Sequence, residues 1–296
     1  MNRLRWLSLP ALLFAADLAM AKPVVLLDDW QRRVTVDDGA PLRIVSLAPH
    51  ATELIAEAGL LKQLVAVDTN SDFPPVVKAL PKLSSYPRID IESVINQRPH
   101  LVVVWGAGLD RTLIDRFQSY AIAVFVSEPK SAADIVRNLE QLGKLNARDD
   151  AAQRAITHWQ QRLTKLEARY ANKPKVSYFF QIWQQPLIAL SDQSFQGEAS
   201  RICAGSNIFA QGISASPQTD IEAIITRKPS VWLVAASTAV DVKVDAAASA
   251  SAWRDAIKSK GFRGSLLALD DAQLQRPGPR WLDGVASFCA ALDTAR

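Results

Sequence analysis

Residues 90–105 read DIESVINQRPHLVVVW, and residues 220–235 read DIEAIITRKPSVWLVA. Over the first fifteen positions the two stretches share six residues in register: Asp, Ile, Glu, Ile, Pro and Val. In each, a short acidic helix is predicted to stop at a proline, at Pro99 and again at Pro229, because the residue before a proline is pushed out of helical geometry. The run beyond it, LVVVW or VWLVA, is apolar on both faces, the mark of a central parallel strand covered on both sides. A helix-to-strand passage repeated in this way predicts two similar α/β units in one chain.

The flanking sequence supports that reading. In the first half, VVLLDDWQRRVTV predicts a small edge hairpin. RIVSLAPHATELIAEAGL then gives a strand, a Pro-His break and a helix with Thr52 and Glu53 in its first turn and Gly59 as its stop. LVAV is a strand, and DTNSDFPP is a loop because its prolines and Asn/Asp residues sustain neither ladder. A helix over 110–119, the strand IAVFV and a helix over 131–145 complete the unit. The second half repeats the order: KVSYFFQIW, helices over 194–203 and 220–227, VWLVA, a helix over 251–260, SLLAL and a closing helix over 279–293. Strands alternating with helices predict βαβ units and mostly parallel sheets, so the fold class is α/β with two Rossmann-like lobes.

Between the lobes, Ala152, Ile156, Trp159, Leu163, Leu166 and Tyr170 recur at three- and four-residue steps among polar residues, which predicts one amphipathic helix. From Asp149 to Tyr170 such a helix would span about 33 Å and act as a spine that restricts lobe motion. The expected division is therefore 22–145 for the first lobe, 146–172 for the linking helix and 173–296 for the second lobe.

The first 21 residues are set apart from the fold. Arg3 and Arg5 precede an apolar run from Trp6 to Ala16 and the small-residue site Ala19-Met20-Ala21, the layout of a secretory signal cleaved near Ala21. The run falls well short of the ~20 residues a membrane span needs, although a retained N-terminal anchor is the alternative. Without Arg3, Arg5 and Asp17, 32 basic residues face 29 acidic ones, a net charge of +3. Basic and acidic residues are interspersed, which argues against a nucleic-acid partner. Cys203 and Cys289 are the two cysteines. In a reducing compartment they would be two buried thiols; in an exported chain the even count favours one disulfide, tying the last helix to the second lobe.

No catalytic constellation emerges. His50, His100 and His158 share no face, and HExxH, CxxC and GxSxG are absent, so neither a metal site nor a nucleophile is expected. His50 stands just beyond a strand's C-terminal end, where open parallel sheets bind ligands. WGAGLDR followed by Glu128 has the outline of a dinucleotide fingerprint, but Arg111 replaces the third glycine; a dinucleotide-dependent enzyme is the distant alternative. Aromatic residues say more. Trp105 and Trp183 close strands, and Phe73 and Tyr86 sit on loops of the same side, an arrangement suited to a large planar ligand held between lobes.

Taken in order, RIVSLAPHATEL, SDFPP, DIESVINQRPHLVVVWGAG, FFQIWQQPL, RICAGSNIF and RPGPR resemble the periplasmic cobalamin-binding proteins of ABC importers, a helix-linked class of substrate-binding proteins. The resemblance runs from about Asp28 to the C-terminus. It implies two Rossmann-like lobes joined by a long helix, with a corrinoid in the cleft as transported ligand and no resident cofactor. Tyr86 falls where the family presents an aromatic to the corrin, Trp183 lies in the segment that supplies another, and Arg276 matches an arginine that meets the ligand's polar rim. Cys203 and Cys289 match the family disulfide. Glu92 and Glu222 occupy the positions that dock, one per lobe, into arginine pockets of the membrane permease dimer. Two departures, Ser216 for a tryptophan and Ala272 for an aspartate, bear on which corrinoid is bound. The expectation is a periplasmic, non-enzymatic receptor, monomeric when free; the same scaffold carrying haem or a ferric siderophore, with Tyr86 or His50 as iron ligand, is the alternative.

Overall fold

Short runs of β-branched and aromatic residues become the strands of two parallel sheets, described in a computed structural model that covers residues 23–37, 41–146, 149–212, 214–235, 257–269 and 272–296. Residues 1–21, expected as an export signal, and most of the helix expected over 251–260 lie outside the described residues.

The first lobe is built from β1 (Val24–Leu27), β2 (Arg33–Val36), β3 (Ile44–Ser46), β4 (Leu64–Asp68), β5 (Lys82–Leu83), β6 (Leu101–Trp105) and β7 (Ala123–Ser127). Its helices are α1 (Pro49–Ile55), α2 (Ile91–Asn96), α3 (Thr112–Gln118) and α4 (Ala132–Gly143). Strands β3 to β7 form a parallel sheet in the order β5-β4-β3-β6-β7, and β1 and β2 form an antiparallel hairpin. That hairpin is held against β7 by Arg32, which reaches both the Asp28 carboxylate at 2.5 Å and the Val124 carbonyl at 2.9 Å.

The linking helix α5 (Ala151–Tyr170) leads into β8 (Val176–Trp183), β9 (Ile188–Ala189), α6 (Gln196–Ile202), β10 (Gly205–Asn207), α7 (Ile221–Arg227), β11 (Val231–Ala235), β12 (Ser265–Leu269) and α8 (Trp281–Asp293). Here the parallel order is β10-β8-β11-β12, with β9 turning back antiparallel on β8. Substituting β4, β3, β6 and β7 for these four strands gives the first sheet's order, so the lobes share one topology.

The repeat extends to individual hydrogen bonds. Asp90 and Asp220 cap α2 and α7 identically, each accepting from the backbone N–H three residues on, Ser93 and Ala223. Arg98 and Lys228, the residues before the two prolines, both take the left-handed region, with φ of 49° and 51°. The next strands are entered alike: Ala123 N–H donates to the His100 carbonyl, and Ser265 N–H to that of Ser230.

One difference from expectation concerns α1. Pro49 does not break the chain but starts the helix, where its missing N–H costs nothing, so His50 lies in the first turn instead of on a lip. The helix ends in a widened turn, Ala56–Leu60, where Gly59 takes a φ of 79°.

Helix α5 serves both lobes. Ala152 and Ile156 are buried towards the first, whereas Trp159 stacks on Trp281 and Tyr170 donates to Asp293 at 2.8 Å in the second. Arg162 pairs with Asp283 of α8. Cys203 and Cys289 form a disulfide between the end of α6 and α8, closing a loop of 86 residues. Among the described residues, no helix is long and apolar enough to cross a membrane.

Candidate ligand-binding cleft

In parallel sheets the loops that follow the strands gather on one edge, and ligands bind there. Both lobes turn this edge towards each other. Loop 276–280, which follows β12, crosses to the first lobe at Asp72, in the loop after β4, and at Glu53 of α1. The Ala132 N–H, just past β7, donates to the Glu198 carboxylate on α6 at 2.6 Å.

Three large aromatics stand exposed on these edges. Trp105 ends β6 and is 50% exposed; Trp183 ends β8 and is 44% exposed; Tyr86, on the loop after β5, is 84% exposed. Each is held from behind. Trp183 donates its indole N–H to the Gln185 carbonyl at 3.0 Å, inside the tight return to β9. The Tyr86 loop is pinned by Ser84, whose hydroxyl donates to the Tyr86 carbonyl at 2.8 Å, and by Ser85, which donates to the buried Asp68 carboxylate at 2.5 Å. His50 meets Trp105 edge to face, with ring centroids 6.1 Å apart.

His50 itself is 3% exposed. Its Nε2 lies 3.0 Å from the Ser127 hydroxyl. Burial pushes its pKa down from 6.5 to about 4 against the opposing effect of hydrogen bonding with Ser127, so the ring is neutral at physiological pH. It stands beneath Trp105 and not beside it.

Charges meet across the floor between the lobes. Arg280 donates to the buried Glu53 carboxylate at 2.6 Å, and Arg276 to Asp72 at 2.7 Å. The diagonal separations are 3.8 Å for Arg280 to Asp72 and 4.0 Å for Arg276 to Glu53, so two cations and two anions alternate in one ring. The Arg280 guanidinium also lies over the half-buried Phe73 ring, 4.1 Å from its centroid. Partial burial works to raise the Asp72 carboxyl, but the hydrogen bond from Arg276 and the charges of both arginines outweigh it and hold the group below its ordinary value. Between the two arginines, Gly278 passes so near α1 that a Cβ there would lie 3.3 Å from that of His50. Through His50 the floor therefore runs directly into Trp105.

Of the six residues singled out from sequence for a ligand, Tyr86, Trp105 and Trp183 lie on the exposed edges. Arg276 and Phe73 lie in the charged floor, and His50 in the layer behind. Glu53, Asp72 and Arg280 are not legible as site residues in the sequence, although Asp72 lies in SDFPP and Arg280 in RPGPR, because nothing local says that these loops meet. Glu92 and Glu222 lie on α2 and α7, each exposed in the first turn of its helix, and Glu222 is paired with Lys260 at 2.7 Å. The dinucleotide outline dissolves: Arg111 stacks over Trp30 at 4.5 Å and Glu128 accepts the Trp30 indole N–H at 2.8 Å, so both secure the edge hairpin. Among the described residues, no three His, Cys, Asp or Glu side chains cluster as a metal site would require.

Residues 44–260 match the model of the family described as "Periplasmic binding protein". The chain belongs to that family. Within this periplasmic binding protein family, it is 31% identical over 279 residues to a vitamin B12-binding protein of Vibrio campbellii, covering 94% of this chain and 98% of the relative. The crystal structure of the periplasmic vitamin B12 binding protein of Vibrio cholerae superposes with a TM-score of 0.72 at 32% identity, covering 86% of this chain and 97% of that one. A periplasmic haem-binding protein from Roseiflexus sp. RS-1 has the same fold, with a TM-score of 0.73 at 20% identity over 86% of this chain and 99% of that one. At that identity the likeness speaks for the fold alone.

Proposed function

We propose that this periplasmic binding protein captures a corrinoid of the cobalamin class between its lobes and delivers it to the permease dimer of an ABC importer. The observation that carries the reading is the set of three exposed aromatics, Tyr86, Trp105 and Trp183, drawn from both lobes onto facing edges. Large rings left in water at the ends of strands are costly unless a flat apolar surface covers them, and a tetrapyrrole-like macrocycle offers one. The naming of relatives at 31% and 32% identity for vitamin B12 supports a corrinoid over haem. In this reading Arg276 meets the polar rim, His50 backs Trp105, and Phe73 with Arg280 closes the floor.

Residues 1–21 form the export signal, cleaved near Ala21, and the mature receptor works in the periplasm as a monomer. Its lobes comprise 22–145 and 173–296, with 146–172 between them. Glu92 and Glu222 dock on the permease, one carboxylate per lobe. A two-fold symmetric partner reads equivalent groups on equivalent elements, and α2 and α7 are equivalent in topology, cap and register. The receptor carries out no chemistry on its ligand.

The direct test is spectroscopic. The purified protein is incubated with periplasmic extract, desalted, and its visible absorption recorded. A corrinoid spectrum is expected; a haem Soret band in its place would overturn the assignment in favour of the haem reading of this scaffold. The docking role has its own test: Glu92→Lys with Glu222→Lys should abolish uptake while cyanocobalamin affinity stays unchanged. Undiminished uptake would remove both glutamates from docking.

A further inference from the structure

The charged floor carries an inference about selectivity that rests on the corrinoid reading. Arg276 lies in the charged floor, yet it does not stand there as an isolated cation. Its Nη1 donates to Asp72 at 2.7 Å, and the second pair, Arg280 with Glu53, lies within 4.0 Å. Two guanidinium groups are thus matched by two carboxylates. The next acid along, Asp283, is already matched by Arg162 of the linking helix. The floor is therefore rich in hydrogen-bond donors and close to zero in net charge.

The two pairs differ in kind. Glu53 is 3% exposed at its side chain and Arg280 21%, so that pair is a buried fastening between the lobes. Asp72 is 54% exposed and Arg276 25%, so this pair borders the space where a ligand would lie. A guanidinium has five N–H donors. Asp72 takes one at Nη1, cancels the charge, and leaves the group polar towards a ligand.

We infer that Asp72 is a specificity-determining residue: by neutralising Arg276 it makes the cleft accept a macrocycle rimmed with neutral amides and disfavour one rimmed with carboxylates. An amide carbonyl can take an N–H from Arg276 without adding charge. A carboxylate in the same place gains the same hydrogen bond but brings a third anion beside Asp72 and Glu53, at distances where charges in a partly water-excluded site still act strongly. Corrinoids carry amides at their periphery, whereas haem carries two propionates, so the discrimination applies to the two macrocycles this scaffold accommodates.

The test uses two probes that share one corrin ring: cyanocobalamin, and its monocarboxylic acids made by mild acid hydrolysis of the peripheral amides. Affinities are measured by calorimetry at low ionic strength and pH 7.5. The unsubstituted protein should prefer the amide. Asp72→Asn keeps the size and an acceptor for Arg276 but removes the charge, and should shrink that preference about tenfold, an effect that added salt diminishes. Asp72→Glu should retain the preference. Arg276→Gln, which leaves the acids in excess, should instead widen the preference for the amide, and this variant tests the inference even if Asp72→Asn folds poorly. An amide-to-carboxylate ratio that is the same in Asp72→Asn, Arg276→Gln and the unsubstituted protein overturns the role of Asp72 while leaving corrinoid capture intact. Failure of the unsubstituted protein to bind either corrinoid overturns both.

Discussion

Single side chains carry the proposed contact with the ligand, and they differ in what their loss should do. Trp183 gives one exposed indole face from the second lobe, fixed by its bond to the Gln185 carbonyl. Covering an aromatic side chain contributes about 2–3 kcal/mol, so Trp183→Ala should weaken cyanocobalamin binding roughly 30- to 150-fold in a calorimetric titration, without lowering thermal stability. His50 should act on stability instead. Its folded-state pKa of about 4 lies below the ordinary 6.5, so between those values the unfolded chain holds a proton that the folded chain lacks. Stability therefore rises with pH across that window and is lost on acidification, by about 3 kcal/mol if the whole shift is realised. Urea titrations at pH 7.5, 5.5 and 4.5 should show a shallower pH dependence for His50→Gln than for the unsubstituted protein; parallel curves would mean that His50 does not titrate as its burial demands. The exposed aromatics were legible in the sequence because large rings next to strand ends and Pro-rich loops have little core to enter. The charged floor was not, since Arg276 and Asp72 are 204 residues apart and only the folded chain brings them together.

At the scale of elements, the recurrence of DIESVINQRPHLVVVW was informative because it encodes a cap, a proline stop and a doubly covered strand in one passage. Each of these has a local physical cause, and each appears twice: Asp90 and Asp220 at the caps, Pro99 and Pro229 at the stops, β6 and β11 as central strands. Short pieces such as β9 and β10, two and three residues long, escaped because they owe their form to pairing with β8 and not to their own propensity. The start of α1 was misplaced by one turn, since a proline that ends one helix can equally begin another. Helix α8 depends on its covalent tie: a loop of 86 residues closed by Cys203–Cys289 should contribute about 4–5 kcal/mol in the chain-entropy model. The double variant Cys203→Ser with Cys289→Ser should accordingly lose most of that stability in urea while keeping its ligand preference. A loss below about 1 kcal/mol would show that α8 is held by packing around Trp281 and Phe288 alone.

At the scale of the whole molecule, function follows from a duplicated topology joined by one helix. Strand order repeats from lobe to lobe, and the two carboxyl edges meet at loop 276–280. That arrangement was inferable in outline, because alternating strand and helix patterns around a long amphipathic segment leave few other ways to bury the apolar residues. Which ligand lies between the edges was not contained in the pattern; it depends on three rings and four charges whose mutual placement only the fold provides. The central claim is that this placement selects a corrinoid. Parallel titrations of the purified mature protein with cyanocobalamin and with haemin test it most directly: tight, saturable binding of cyanocobalamin with much weaker binding of haemin is predicted, and tight binding of haemin with none of cyanocobalamin would contradict it.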